Sequence, residues 1–169
     1  LFAVKHTHLE AAASHFVKRL SSDIHRLQPS VINAATDLRS AQICSAMKEA
    51  LAEAPVRNQS HLLRGMLSCG DSKTAALVAK DFTSQIDRLI QQQRGIVPKH
   101  SQFEASVKLV EEALFYLAAY GDEGLRAAVV EKVSQMLAPS PLMTAAAQMA
   151  QVEGAHLHKA LELAYFGEP

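Results

Sequence analysis

Residues 71–98 read DSKTAALVAKDFTSQIDRLIQQQRGIVP, and this stretch decides the fold class. Its apolar side chains recur at steps of three or four residues, which places them along one face of an α-helix. They are Ala75, Leu77, Val78, Phe82, Ile86 and Ile90. Asp71 is a preferred N-cap residue, whereas Gly95 and Pro98 typically end helices. The stretch therefore predicts an amphipathic helix that Asp71 caps and that closes in the polar residues 91–94, which are expected to be exposed.

Glycine and proline punctuate the rest of the chain, and strong helix formers fill the segments between them. Besides the helix that ends near Gln93, the predicted helices run from about Lys5 to Leu27, Val31 to Ala54 with a break near Ser40, Asn58 to Cys69, Ser101 to Ala119, Asp122 to Met136, Leu142 to Val152 and Ala155 to Ala164. Ser30 is placed as the N-cap of the second helix, and Gly70 as a left-handed terminator of the third. No stretch alternates apolar and polar residues for long enough to predict a strand. The sequence therefore predicts an all-α protein of about seven or eight helices.

The turns between paired helices are two to four residues long, which forces neighbouring helices to be antiparallel. We expect one helical domain over residues 1–169, with N-terminal helices in 1–54 and helix hairpins in series over 55–166. Three helix-stopping prolines stand 43 residues apart, and each opens a block of proline, helix, glycine and helix. They are Pro55, Pro98 and Pro141. The glycine follows the proline by 15, 23 and 13 residues, so the blocks are either degenerate repeats or the ordinary stop signals of a helical bundle.

The residues within these blocks resemble pentatricopeptide repeats. Residues 60–71 (SHLLRGMLSCGD) are similar to the first helix and turn of such a unit, and residues 74–78 (TAALV) to the start of its second helix. Residues 95–98 (GIVP) resemble the Gly-x-x-Pro that ends a unit. The resemblance covers about residues 55–166 and implies a degenerate α-α superhelix. The blocks are longer than the usual unit of that family, which leaves the HEAT-like class of helical repeat open.

The charge of the chain is balanced, with 17 basic and 17 acidic residues. Residues 1–110 carry a net charge of +5 and residues 111–169 a net charge of −5. A nucleic-acid binder usually carries a basic field, so the balance argues against a nucleic-acid partner, whereas the polarity suits docking onto a structured protein. No apolar run approaches the ~18 residues needed to span a bilayer, so no membrane span is expected.

Cys44 and Cys69 are not spaced as a zinc or redox pair, and two cysteines do not make a disulfide framework. We expect two small buried residues with free thiols, which suits a soluble protein in a reducing compartment.

The chain begins at Leu1 rather than Met, as a processed product or a fragment would, and removal of an organellar transit peptide is one such process.

No residue pattern points to catalysis or to a bound cofactor. The glycines are scattered rather than grouped in a phosphate loop, and nothing marks a nucleophile turn. The His-x-His pairs at residues 6–8 and 156–158 place two rings about 200° apart on a helix, which favours surface or interface roles over a metal site. The acidic pairs at residues 111–112 and 122–123 fit helix-surface and capping roles. The sequence therefore predicts no catalytic, cofactor-binding or metal-binding residues, and a protein that is not an enzyme.

In size, repeat type and neutral charge, the chain is also similar to a family of eighteen-kilodalton subunits attached to the catalytic head of mitochondrial ATP synthase in euglenozoan protists. That resemblance implies a non-catalytic accessory or scaffold subunit in the mitochondrial matrix, bound to the alpha subunit. Pentatricopeptide arrays also commonly bind single-stranded RNA, but so short an array would contact few nucleotides. The polar residues roughly placed for RNA are Asn58, Ser60, Ser101 and Gln102. A stand-alone helical-bundle interaction or effector domain is the third alternative.

Both ends of the chain are apolar, although chain ends are usually polar and disordered unless they are tied down. The terminal hairpins of a short array lack a neighbour on one side, so we expect one or both ends to pack on the partner protein. The predicted contact residues are Leu1, Phe2, Val4, Tyr165 and Phe166. The alternative is that these residues fold back onto the core of the domain itself.

Overall fold

The structure, a computed structural model, describes residues 2–98 and 101–152, with side chains from residue 10 onward. In this part of the chain all regular structure is helical, in eight α-helices and one 3-10 helix. The α-helices are α1 (Phe2–Ser22), α2 (Pro29–Asp37), α3 (Ala41–Ala50), α4 (Val56–Gly65), α5 (Ser72–Gln93), α6 (Phe103–Tyr120), α7 (Glu123–Ser134) and α8 (Pro141–Ala150). The 3-10 helix spans Met66–Cys69. The predicted all-α class is confirmed, whereas the helix predicted from Ala155 to Ala164 lies outside the described residues.

The second predicted helix divides into α2 and α3 at the break expected near Ser40. Arg39 adopts a left-handed backbone conformation with a φ of 46°, which a right-handed helix does not accommodate. Ser30 is not the N-cap that the sequence predicted, because α2 begins at Pro29 and Gln28 holds the cap position. Proline suits the first helical position because its φ is already fixed near the helical value.

Gly70 does not end its helix in the left-handed conformation, which corrects the prediction. Gly95 is the one glycine among the described residues with a positive φ, at 71°. The third predicted helix instead tightens from α4 into the 3-10 helix before Gly70. Residue 70 must be glycine for another reason, since a Cβ at that position would overlap the ring of Tyr120.

The chain divides into two compact units, Leu1–Cys69 and Gly70–Pro169. In the first unit, helices two apart in the sequence pack most extensively, α1 on α3 and α2 on α4. Stacked helix pairs produce this pattern, because each pair packs on its neighbour in the stack. The fully buried large side chains of this unit are Leu20, Leu27, Ile32, Ile43, Met47, Leu62, Leu63, Met66 and Leu67. Since α4 belongs here, the unit boundary falls after Cys69, whereas the sequence placed its division after residue 54.

The second unit is built around α6, which packs on α5, α7 and α8. Neighbours on several sides bury consecutive residues instead of one face, so residues 112–119 of α6 are all buried. Aspartates set the starts of two helices, as predicted. Asp71 accepts a hydrogen bond from the Thr74 amide at 2.7 Å, and Asp122 accepts one from the Leu125 amide at 2.9 Å.

The blocks that the prolines open differ in their helices. The first block pairs α4, of 10 residues, with α5, of 22 residues, whereas the second pairs α6, of 18 residues, with α7, of 12 residues. α4 and α5 also belong to different compact units. The 43-residue spacing of the prolines therefore does not mark equal hairpins. The repeat family and the single domain stay predictions.

Candidate docking surface

The predicted partner contacts lie at the chain ends, and the structure describes none of their side chains. Leu1, Tyr165 and Phe166 lie outside the described residues. Phe2 and Val4 belong to α1, where only their backbone is described. The prediction for these five residues stays a prediction. Among the side chains that are described, the most exposed large apolar ones lie in the second unit.

Two of the four polar residues placed for RNA contact are buried. Asn58 is fully buried, and its side-chain amide donates to the backbone carbonyls of Ile24 at 2.9 Å and Leu27 at 3.1 Å. Ser60 is also buried. A buried side chain whose donors are already used cannot bind a base, so Asn58 serves the fold of the first unit. The two exposed residues of the four are Ser101 and Gln102.

Three further sequence predictions are wrong in the second unit. Glu112, placed on the surface, is buried because α6 is surrounded by other helices. Leu77, predicted to face the core, is 54% exposed, because the core-facing stripe of α5 passes through its neighbour Val78 instead. The third concerns residues 91–94 at the end of α5, which were predicted to be exposed. Gln92 is buried, and its side-chain amide donates to the carbonyl of Pro98 at 3.3 Å.

α5 ends in a Schellman motif that leaves an aliphatic side chain in solvent. The amide of Gly95 donates to the carbonyl of Gln92 at 3.2 Å, and the amide of Ile96 donates to the carbonyl of Gln91 at 2.9 Å. In this motif the residue after the glycine often packs on an apolar residue one turn earlier. Gln91 holds that earlier position and is polar and exposed. With a polar residue at position 91, Ile96 gains no apolar contact there and is 68% exposed.

The turn after α7 presents a second exposed aliphatic side chain. Met136 turns inward and is buried, and the next residue, Leu137, is 69% exposed. Pro139 restricts the backbone of this turn, because its ring fixes φ. Ser140 then caps α8 by accepting a hydrogen bond from the Met143 amide at 3.3 Å. The direction of Leu137 is thus set by a buried residue before it and a fixed helix start after it.

Two hydrogen bonds hold these turns side by side. The Arg94 guanidinium donates to the carbonyl of Gln135 at 2.7 Å, and the Gln93 side-chain amide donates to the carbonyl of Ala138 at 3.2 Å. The last carbonyls of a helix lack backbone donors, so Arg94 also complements the negative end of α7. The surface that results is called here the paired-turn surface. It consists of the exposed residues Ile96, Pro98, Leu137, Ala138 and Pro139.

The paired-turn surface can bury apolar area but offers no reactive group. Its five side chains carry neither charge nor nucleophile, and the neighbouring Arg94 is held by its bond to α7. Removing an isoleucine or a leucine side chain from water contributes roughly 1.5–3 kcal/mol when burial is complete. The chemistry of this surface is therefore that of a contact patch.

Two other classes of site are not formed by the described residues. No three side chains of His, Cys, Asp or Glu converge there in a way that could hold a metal ion. None of the helices in residues 2–98 and 101–152 is both long enough and apolar enough to cross a membrane.

Cys44 and Cys69 form a disulfide, so the prediction of free thiols is wrong. The two residues are 25 positions apart, but the packing of α3 against the 3-10 helix brings their Cα atoms to 6.5 Å. That separation lies within the range that a disulfide spans. The expectation of a reducing compartment, which depended on free thiols, loses its basis.

The sequence carries a signal for one part of the paired-turn surface. Gly95 marks the left-handed position of a helix end, and the polar Gln91 one turn earlier offers Ile96 no apolar contact. The exposure of Leu137 has no such local signal, because it depends on which side of α7 meets α6 and α8.

Comparison with protein-family models, with curated proteins and with solved structures finds no match to this chain. The class of protein is therefore defined by the fold alone. Over the described residues it is an all-helical array with an exposed apolar surface on two bonded turns.

Proposed function

We propose that this chain is a non-catalytic accessory subunit that binds another protein of a larger assembly through the paired-turn surface. The observation that carries the proposal is the pair of side chains Ile96 and Leu137, each about two-thirds exposed on turns that hydrogen bonds hold together. Single exposed aliphatic residues are common on protein surfaces. Two of them on neighbouring, fixed turns lose little conformational entropy on binding, which favours a specific contact.

The chemistry of the surface fits a folded protein as the partner. Phosphate contacts supply most of the affinity for nucleic acid, and they require clusters of Lys and Arg. Among the described residues, the cation that is bonded across the paired turns is Arg94, which already donates to a carbonyl. Aliphatic and proline side chains instead complement an apolar patch on another folded protein.

The partner that we propose is the alpha subunit of the catalytic head of ATP synthase, in the mitochondrial matrix. Size, repeat type and neutral charge support this choice through the resemblance to the euglenozoan subunit family. The net charge of −5 over residues 111–169 adds long-range steering toward a basic region of such a partner.

The test is affinity capture with the full chain, tagged and added to a mitochondrial extract of a euglenozoan protist. We expect the alpha subunit to be recovered in stoichiometric amount. The double variant Ile96→Ser, Leu137→Ser should reduce that recovery at least about tenfold, because central apolar contacts dominate interface energies. The matched control is Leu77→Ser, which removes a comparable exposed aliphatic side chain, 54% exposed, from the first two turns of α5.

Circular dichroism and thermal unfolding show whether the variants fold, and both should match the unchanged chain because the substituted side chains are mostly solvated. Recovery of alpha subunit that the double variant leaves intact would exclude the paired-turn surface as the contact. Recovery of nuclease-sensitive RNA, with no alpha subunit, would replace the proposal by the RNA-binding alternative.

A further inference from the structure

The disulfide of the first unit is accessible on one side. Cys44 lies in α3 and is 7% exposed, whereas Cys69 ends the 3-10 helix and is partly exposed. Since Cys69 is the more exposed residue of the two, we expect a thiol from solvent to attack its sulfur. Attack on a disulfide proceeds along the S–S axis and displaces the other sulfur, here that of Cys44.

A cleft of about 290 Å³ opens beside this disulfide. Both cysteines line it, together with polar side chains from the end of α2, the start of α3 and the 3-10 helix. The polar lining residues are Thr36, Arg39, Ser40 and Ser68. The volume is close to the lower end of the range of small-molecule sites, about 300 Å³. The cleft is thus large enough for a small thiol compound to approach the disulfide.

The charge around the cleft is positive. Arg39 is the one charged residue among the described residues that line it, and its side chain is exposed. Cys44 lies in the first turn of α3, where the helix N-terminus carries partial positive charge. Both features stabilise a thiolate at Cys44, which makes Cys44 the better leaving group.

We propose that the Cys44–Cys69 disulfide is a thiol–disulfide exchange site that accepts small anionic thiols through this cleft. The thiolate sulfur of the incoming compound bonds to Sγ of Cys69, the S–S bond breaks, and Cys44 leaves as a thiolate. A second molecule of the same thiol attacks the sulfur of the bound compound and releases Cys69 as a thiolate. The two thiol molecules are oxidised by two electrons to their disulfide, and the cystine of the protein is reduced by two electrons. This inference goes beyond the proposed function and does not depend on it.

The test uses the oxidised full chain and two thiols of opposite charge, 2-mercaptoethanesulfonate and cysteamine, at equal thiolate concentration and low salt. Reduction is followed by acid quenching and mass spectrometry. We expect the anionic thiol to react about sixteenfold faster, because the two thiols differ by two unit charges and each charge about 5 Å away produces a factor of about four in a water-like dielectric. The transient mixed disulfide should be found on the peptide that contains Cys69.

Charge variants of the cleft separate this site from a merely exposed disulfide. Arg39→Asn removes the charge and keeps a residue that tolerates the left-handed backbone, so the preference for the anionic thiol should disappear. Ser68 is exposed in the cleft, so Ser68→Lys should increase the preference, and Ser68→Glu, whose charge offsets that of Arg39, should abolish it. Equal rates for both thiols in the unchanged chain and in all three variants would overturn the proposal. Reduction only in denaturant, or a mixed disulfide on Cys44, would also overturn it.

Discussion

The ring of Tyr120 occupies the space that a side chain at Gly70 would fill. A Cβ built on Gly70 overlaps the Cε2, Cδ2 and Cζ atoms of that ring. Tyr120 in turn contacts Tyr116, with ring centroids 5.1 Å apart, and the hydroxyl of Tyr116 accepts a hydrogen bond from the Asp71 amide at 3.4 Å. The start of α5 can therefore pack closely against the end of α6 because residue 70 has no side chain.

Gly70→Ala should destabilise the second unit. The added methyl group must displace the Tyr120 ring or the backbone, and such overpacking typically costs 1–3 kcal/mol. Chemical denaturation with urea measures the loss. In the background of Tyr120→Leu, which empties part of the space, the same substitution should cost clearly less.

Gly124→Ala is the matched control for the loss of a glycine. Gly124 lies in α7, is exposed, and has only the Asp122 carboxylate within 3.5 Å of an added Cβ. Alanine should stabilise the helix there by about 0.5–1 kcal/mol. Equal effects of the two glycine substitutions would contradict the close fit between Gly70 and Tyr120.

The buried hydroxyl of Tyr116 makes stability fall at high pH. Burial raises the pKa of Tyr116 to about 12 from its ordinary value of 10.0, and the nearby Asp71 charge adds to this effect. The unfolded chain loses the proton near pH 10 while the folded chain keeps it, so the contribution is complete below pH 10 and is lost as pH rises to 12. The expected loss is about 2–3 kcal/mol across that interval.

Denaturation of the unchanged chain and of Tyr116→Phe between pH 9 and 12 checks this linkage. The variant lacks the titrating hydroxyl, so the difference in unfolding free energy between the two proteins should narrow or change sign as pH rises above 10. Parallel curves for the two proteins would contradict a raised pKa for Tyr116.

Asn58 should be among the most sensitive polar positions of the first unit. Its amide supplies donors to two carbonyls in the turn after α1, those of Ile24 and Leu27. Asn58→Leu conserves volume but leaves buried acceptors without these donors, at a cost of about 1–3 kcal/mol. Gln42→Ala is the control, because Gln42 is exposed on α3 and the substitution should change the unfolding free energy by less than about 0.5 kcal/mol.

Arg126 ties α7 to the C-terminal end of α8. Its guanidinium donates to the carbonyl of Ala150 at 3.1 Å and to those of Met149 and Val152. These carbonyls lie at the C-terminal end of α8, where the helix has no further backbone amides to donate to them. Arg126→Met keeps much of the apolar stem, and we expect a loss of about 1.5 kcal/mol, together with faster amide hydrogen exchange at the end of α8.

Lys132→Met tests a different kind of bond on the same helix. Lys132 pairs with the Asp87 carboxylate at 2.5 Å, and both side chains are partly exposed, 26% and 41%. Such an ion pair contributes at most about 1 kcal/mol, and its contribution should fade in 1 M salt. A larger effect at Lys132 than at Arg126 would reverse this ranking.

The sequence by itself determined the helices. The apolar stripe of α5 has a period of three to four, the aspartates at positions 71 and 122 cap two helix starts, and Gly95 ends α5 in the left-handed conformation. These are local effects, because caps and terminators act on backbone groups within one turn of themselves. The break near Ser40 could also be predicted, because its signal is local in the sequence.

Only the tertiary structure decided what each helix meets. The disulfide between Cys44 and Cys69, the burial of Glu112 and the exposure of Leu137 each depend on contacts with elements distant in the sequence. Periodicity shows that a helix has an apolar face but not which helix covers it, since many helices offer equivalent stripes. The glycine at residue 70 shows the same limit. Its identity suggested a backbone conformation, whereas its actual role is to make room for the ring of Tyr120, fifty residues further along the chain.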